Sequence, residues 1–190
     1  MEFKILDHNE EQGMFDNFCV TDSIKSIANG DIITENQIND IYKIYHSLIN
    51  SKNISSERKA KAFYNLLFDD DNCNYSKKNI TLRVVRNDKL SEKTQLIYFN
   101  KKKYYNVIGR SHKTFEPDIK IVGNSCVSRI NTFLTIVKND FGIYKLMIID
   151  VSSLCGTYDD KFKRIKIKAY NLNEPVTIFI GNYMTSLTIS

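Results

Sequence analysis

Ile108-Gly109-Arg110-Ser111, Val127-Ser128-Arg129-Ile130-Asn131 and Asp150-Val151-Ser152-Ser153-Leu154-Cys155-Gly156-Thr157 are three polar segments within residues 108–157. Between and around them lie short runs rich in β-branched and aromatic residues, such as 132–138 and 143–150, which predict β-strands. Each polar segment therefore falls at the end of a strand. A guanidinium, several hydroxyls and glycine-bearing turns are thereby gathered on the loops of one sheet protein. Such loops can build a receptor for an anion, most obviously a phosphate.

Working outward, the same β pattern continues on both sides. Strands are expected over 80–87, 94–100, 103–109, 118–122, 132–138, 143–150, 164–169, 175–180 and 186–189. Arg83 and Lys166 alternate with apolar neighbours, as half-buried strands require. Asn87-Asp88, Asn139-Asp140, Asp159-Asp160 and residues 171–174 supply turn material. Pro117 and Pro175 fall at strand starts, where a missing N–H is tolerated. Many short strands at regular spacing predict a mainly β chain folded as an antiparallel β-sandwich or a barrel.

Upstream the period becomes helical. Thr34-Glu35-Asn36-Gln37 has the form of a capping box. Ile38, Ile41, Tyr42, Tyr45, Leu48 and Ile49 follow at helical spacing, to an end near Asn50. A short helix over 22–29 is expected before it, capped by Thr21 or Asp22 and closed by Gly30. Ser55 or Ser56 opens another, with Ala60, Phe63, Tyr64 and Leu67 on one face. The helices 34–50 and 55–67 would form a hairpin packed on the sheets. Lys52, Arg58, Lys59 and Lys61 admit a helix-turn-helix, but no recognition-helix signature is present, and a brace with solvated lysines is preferred. Asp69-Asp70-Asp71 lacks the Gly and distal Glu of a calcium loop and reads as the start of a linker. Residues 1–20 are apolar at Phe3, Ile5, Leu6, Met14, Phe15 and Phe18 without a sustained period. The chain thus divides into a helical N-terminal extension, 1–75, and a sandwich, 76–190.

The 190 residues are 42% hydrophobic and 26% charged, which excludes a disordered chain. A net charge of +5 suits a phosphorylated or nucleic-acid partner, and equally a solvated lysine-rich surface. Cys19, Cys73, Cys126 and Cys155 form no Cys-x-x-Cys pair, so neither a zinc ribbon nor a redox motif is expected. No apolar leader and no run long enough to cross a bilayer is present, which predicts an intracellular protein, in cytoplasm or nucleus, with reduced thiols and no membrane partner. Richness in Ile, Lys and Asn suggests an AT-rich genome, such as that of a large DNA virus like a poxvirus; host cell or virion would then be the location.

Little points to catalysis. Asp140-Phe141-Gly142 matches a kinase tripeptide, but it has no His-Arg-Asp loop or Gly-rich strand pair and lies at a hairpin turn. His112 and Cys155 fall on one rim, yet no third group orients a Cys–His nucleophile. His8 and His46 are isolated. No catalytic residue, cofactor or metal is assigned.

Residues 80–190 resemble the forkhead-associated (FHA) family, sandwiches that bind phosphothreonine peptides. The family pattern is Gly-Arg after one strand, then Ser-Arg-x-His, then Asp-x-x-Ser-x-Asn-Gly-Thr, then a closing Gly-Asp-x-Ile-x-x-Gly. This sequence has, in the same order, Gly109-Arg110, Ser128-Arg129-Ile130-Asn131, Asp150 to Thr157, and Asn173-Glu174-Pro175-Val176 leading to Gly181. The resemblance implies that Arg110 binds the phosphate through its guanidinium and that Ser128 donates a hydroxyl to a second oxygen. Ser111 would add a donor, and Arg129 would contact peptide backbone or phosphate. Gly109 and Gly156 would permit the turns, with Asn131 and Thr157 in the loop scaffold.

Two departures from the pattern matter. Asn131 replaces the scaffold histidine, which implies a rearranged hydrogen bond. Cys155 replaces the asparagine that clamps the peptide main chain, and a thiol cannot supply two amide hydrogen bonds. The implied function is a non-catalytic adaptor whose partner is a protein phosphorylated by a Ser/Thr kinase. The alternative is a degenerate FHA fold serving as a phosphorylation-independent structural subunit. Nucleic-acid binding, through the basic helices and Lys101-Lys102-Lys103, is the least favoured reading. A homo-oligomer is compatible with any of these.

Overall fold

Eleven strands alternate between two sheets in the computed structural model, which describes residues 20–50, 77–99, 105–113, 115–151 and 153–190, with the side chains of 47–50 excepted. They are β1 (Lys77–Arg86), β2 (Lys89–Tyr98), β3 (Tyr105–Arg110), β4 (Ile119–Ile121), β5 (Thr132–Lys138), β6 (Tyr144–Asp150), β7 (Thr157–Tyr158), β8 (Arg164–Ile165), β9 (Ile167–Asn171), β10 (Val176–Ile180) and β11 (Thr185–Ile189). One sheet has the order β2-β1-β11-β10-β7-β8 and the other β4-β3-β5-β6-β9. Two helices precede them, α1 (residues 20–29) and α2 (Glu35–Asn50). The fold is mainly β, a two-sheet sandwich with N-terminal helices.

Local sequence explains most of these elements. Asn87 and Asp88 form a two-residue turn with positive φ at both positions, 49° and 60°, the geometry that matches strand twist in a tight hairpin. The turn registers β1 on β2 from Arg86↔Lys89 out to Lys77↔Tyr98. β2 starts at Lys89, earlier than the expected 94, because ladder pairing carries the mostly polar residues 89–93. It is an edge strand, and charge on such an edge resists further pairing. Thr34 and Gln37 cap α2 reciprocally: the Thr34 N–H donates to Gln37 Oε1 (2.8 Å) and the Gln37 N–H to Thr34 Oγ1 (3.3 Å).

Two expectations need correction. α1 already includes residue 20, so Thr21 and Asp22 lie inside the helix rather than capping it. Its end is as expected: Gly30, at φ +100°, donates to Ile27 O, and Asp31 N reaches Ser26 O, a left-handed close. The single strand over 164–169 is two strands, because the chain changes sheets at Lys166, whose carbonyl accepts the Asp150 N–H (2.8 Å). β7 has only two residues and carries no readable period. The helix over 55–67, Asp69–Asp71, Lys101–Lys103, Cys19, Cys73 and the apolar residues before 19 lie outside the described residues.

The helices cover the outer face of the five-stranded sheet. Tyr45 of α2 meets Phe133 of β5, ring centroids 5.0 Å apart, and Tyr105 of β3 flanks the same ring at 5.3 Å. Phe133 is opposite Ile149, and Thr135 opposite Met147; all four share this face by strand alternation. Leu134, Ile136, Leu146 and Ile148 face the other sheet and are buried as well. β5 and β6 therefore read as nearly continuous apolar runs, whereas β10 and β11 alternate. Polar links sit at the margins: Lys166 Nζ with Glu35 Oε1 (2.6 Å), and Asn29 Nδ2 with Asp140 Oδ2 (2.6 Å). Asp140-Phe141-Gly142 is a hairpin turn, its Phe141 and Ile143 N–H groups held by Asn139 Oδ1.

Candidate functional site

Pairing direction decides which loops meet. β3 and β4 run parallel and end together, at Arg110 and Ile121. β5 is antiparallel to β3 and starts at that end; β6 is antiparallel to β5 and finishes there, Asp150 opposite Thr132. Loops 122–131 and 151–156 therefore converge on the end of β3. Loop 181–184 joins them, since Asn124 Nδ2 donates to Asn182 Oδ1 (3.0 Å) and Gly181 N to Gly156 O (2.8 Å).

Gly109 allows the closest of these approaches. A β-carbon there would stand 2.0 Å from the Arg129 carbonyl oxygen. With none, β3 lies directly against the loop: Arg110 N donates to Ser128 O (3.0 Å) and Asn131 N to Ile108 O (3.0 Å). The Arg110 side chain is exposed, and its Nε donates to Val127 O (3.1 Å). That bond fixes the guanidinium and leaves the terminal nitrogens directed elsewhere. Among the described residues no carboxylate pairs with Arg110: Glu116 pairs with Lys120 (3.0 Å), and Asp118 Oδ2 accepts the Val107 N–H (2.8 Å).

Ser128 stands beside it. Its Oγ accepts the Leu154 N–H (3.1 Å), tying loop 122–131 to loop 151–156. A hydroxyl that accepts still has its proton to give. Ser111 Oγ donates to Glu116 Oε2 (2.6 Å), so its hydroxyl is turned to its own loop. Arg129 is exposed, and no ion pair forms to it among the described residues.

Below the rim lies a buried polar scaffold. Asn131 Oδ1 accepts the Ser128 N–H, while Nδ2 donates to Thr132 Oγ1 and Thr157 Oγ1, each at 3.1 Å. Thr132 and Thr157 hydroxyls lie 2.7 Å apart. Asn131→Ala would leave several fully buried groups unsatisfied, an expected loss of about 2 kcal/mol of stability, read as a lower midpoint in chemical denaturation. Asp150 Oδ1 and Oδ2 accept the Ser153 N–H and hydroxyl (2.7 and 2.8 Å), and Ser153 Oγ accepts the Gly156 N–H. Burial pushes the Asp150 carboxyl above the usual range, against the Ser153 and Thr157 hydrogen bonds and the Arg164 charge. Gly156 has φ +87°, which favours glycine.

Sequence reasoning missed three residues here. Asn124 props its loop from within, accepting the Cys126 N–H (3.0 Å) and donating to Thr185 (2.8 Å). Arg164 Nη2 donates to Ser153 O (3.0 Å). Cys126 lies within electrostatic reach of Cys155. A buried asparagine in a loop has no sequence signature, and neither of the others belongs to a motif. His112 bridges to Phe115 within its own loop.

Gly109-Arg110 thus ends β3, Ser128 lies in the β4–β5 loop, and residues 151–156 join β6 to β7. The fold is FHA-like. Solved structures similar to the chain include yeast Pml1p (17% identity over 59% of this chain and 81% of that one, TM-score 0.44). The MEK1 FHA domain is 23% identical over 58% of this chain and 87% of its own (TM-score 0.42). Mycobacterium tuberculosis EmbR, solved in complex with a low-affinity phosphopeptide, is 14% identical over 82% of this chain and 41% of its own (TM-score 0.37). These likenesses concern the fold alone. No family model and no curated protein matches the sequence, and nothing in the comparisons supports a viral source. No helix among the described residues is long and apolar enough to cross a membrane.

Proposed function

We propose that this FHA-like domain is a non-catalytic adaptor that holds a phosphothreonine of a partner protein at the end of β3. The observation that carries the reading is the Arg110–Ser128 corner. The guanidinium is anchored through Nε, no carboxylate neutralises it among the described residues, and a hydroxyl with a proton to donate is on the neighbouring segment. A phosphate dianion is complementary to that pair, because charge-assisted bonds to guanidinium are strong and directional. Arg129, exposed on the same loop, adds positive charge near the peptide. The partner is thus the product of a Ser/Thr kinase.

A second reading is a docking module indifferent to phosphorylation. It is favoured by Cys155, which lacks the amide expected to hold the peptide main chain, and by Leu154, 86% exposed beside it. Matched peptide arrays separate the two. The adaptor retains phosphothreonine peptides at least tenfold better than the same peptides unmodified, or carrying phosphoserine. Equal retention of modified and unmodified peptides sinks the adaptor and leaves the docking module.

A further inference from the structure

The cysteines that sequence spacing separated are brought together by the loops. Cys126 belongs to the β4–β5 loop and Cys155 to the β6–β7 loop. Three contacts hold those loops side by side. Leu154 N donates to Ser128 Oγ (3.1 Å), and Gly181 N donates to Gly156 O (2.8 Å). Gly181 is also packed on Cys126: a β-carbon there would lie 3.2 Å from Cys126 Cβ. Both thiols are free and half-buried, and each lies within the electrostatic reach of the other. Among the described residues no third Cys, His, Asp or Glu joins them in a metal-binding group, so the four-ligand set of a structural zinc is not assembled there.

We propose that Cys126 and Cys155 are a reversible redox modification site, a dithiol that closes to a disulfide and ties the β4–β5 loop to the β6–β7 loop. A low-molecular-weight disulfide such as oxidised glutathione is the oxidant class. One thiolate of the pair attacks a glutathione sulfur, breaking the S–S bond and releasing one glutathione thiolate. The second thiolate then attacks the protein sulfur of the mixed disulfide and releases the other. Two thiol protons go to the two departing glutathione thiolates; the protein pair is oxidised by two electrons, and the glutathione disulfide is reduced by two. Closure requires the sulfurs to approach to about 2 Å, on loops that the contacts above already hold side by side.

The Cys155 thiol is raised above the ordinary cysteine range by desolvation and by Cys126, with the Arg164 charge opposing. Exchange should therefore be slow at neutral pH and quicken in alkali, because the thiolate is the attacking form. Closure would act on the cradle directly. Ser128 lies two residues from Cys126, and Leu154, whose N–H orients Ser128, adjoins Cys155.

The test uses the full chain treated with oxidised glutathione and digested without reduction. The expected product is the Cys126 peptide joined to the Cys155 peptide, two hydrogens lighter than the sum, with no glutathione retained and full reversal by dithiothreitol. In Cys126→Ser, Cys155 instead keeps one glutathione. Wild-type protein with glutathione on each cysteine, unreacted thiols at both positions, or cross-links to Cys19 or Cys73 instead would overturn the proposal. The effect on ligand rests on the phosphothreonine reading, whereas the cross-link does not. Oxidised wild type is expected to bind a phosphothreonine peptide at least tenfold more weakly than reduced, with no such difference in Cys126→Ser. Equal affinities in oxidised and reduced wild type would remove the regulatory half. A reduced wild type that ignores phosphate would instead refute the adaptor reading while leaving the cross-link standing.

Discussion

Arg110→Ala should weaken phosphothreonine-peptide binding by about two orders of magnitude, or about 3 kcal/mol, while the melting temperature hardly moves. The size follows from truncating one member of a desolvated charge pair, which costs about 2–5 kcal/mol. The unchanged stability follows from exposure: among the described residues the one side-chain bond of Arg110 runs from Nε to Val127 O. Arg110→Lys should fall between the two. It retains the charge but loses both the planar fork and the Nε anchor that aims it. Fluorescence anisotropy with a labelled peptide, alongside thermal melts of the three proteins, measures both quantities. Unaltered affinity in Arg110→Ala would discard the corner as a phosphate site, whatever else the loops bind.

Gly109→Ala should act in the opposite way, on the fold first and on binding only through it. The added carbon would sit 2.0 Å from the Arg129 carbonyl oxygen, a backbone atom with no rotamer to relieve the clash. Either β3 or the loop must retreat, and the Arg110–Ser128 and Asn131–Ile108 backbone bonds stretch or break. Overpacking of this kind costs about 3 kcal/mol. For a chain of this size that is a fall of about 6–12 °C in melting temperature. A variant that melts with the parent would mean that the two segments do not approach so closely in solution.

The sandwich was legible in the sequence wherever one strand face was wet. β1, β10 and β11 alternate, and Pro175 and Asn87-Asp88 punctuate them. β5 and β6 lack that alternation and were found by length and β-branched content alone; what covers their second face could not be read from them. The extra coverage is α2, whose Tyr45 reaches Phe133. β7 and β8, of two residues each, are too short to carry a pattern: β7 is specified by its pairing with β10 and β8 by its pairing with β7. The site divides in the same way. Gly109-Arg110 and Ser128 could be located because a glycine next to an arginine and a serine at a strand end stand out. Asn131 was recognised by its position in a motif, but its buried partners Thr132 and Thr157 come from separate strands. The nearness of the Cys126 and Cys155 loops was invisible, since it depends on sheet pairing.

The cover that α1 and α2 provide has a practical corollary for anyone dissecting the molecule. Val107, Phe133, Met147 and Ile149 are sealed on the flank where α2 lies. A fragment trimmed to its strands would carry that greasy flank bare into water, an invitation to clumping. The minimal workable piece of this protein therefore begins no later than Val20, well ahead of the first strand.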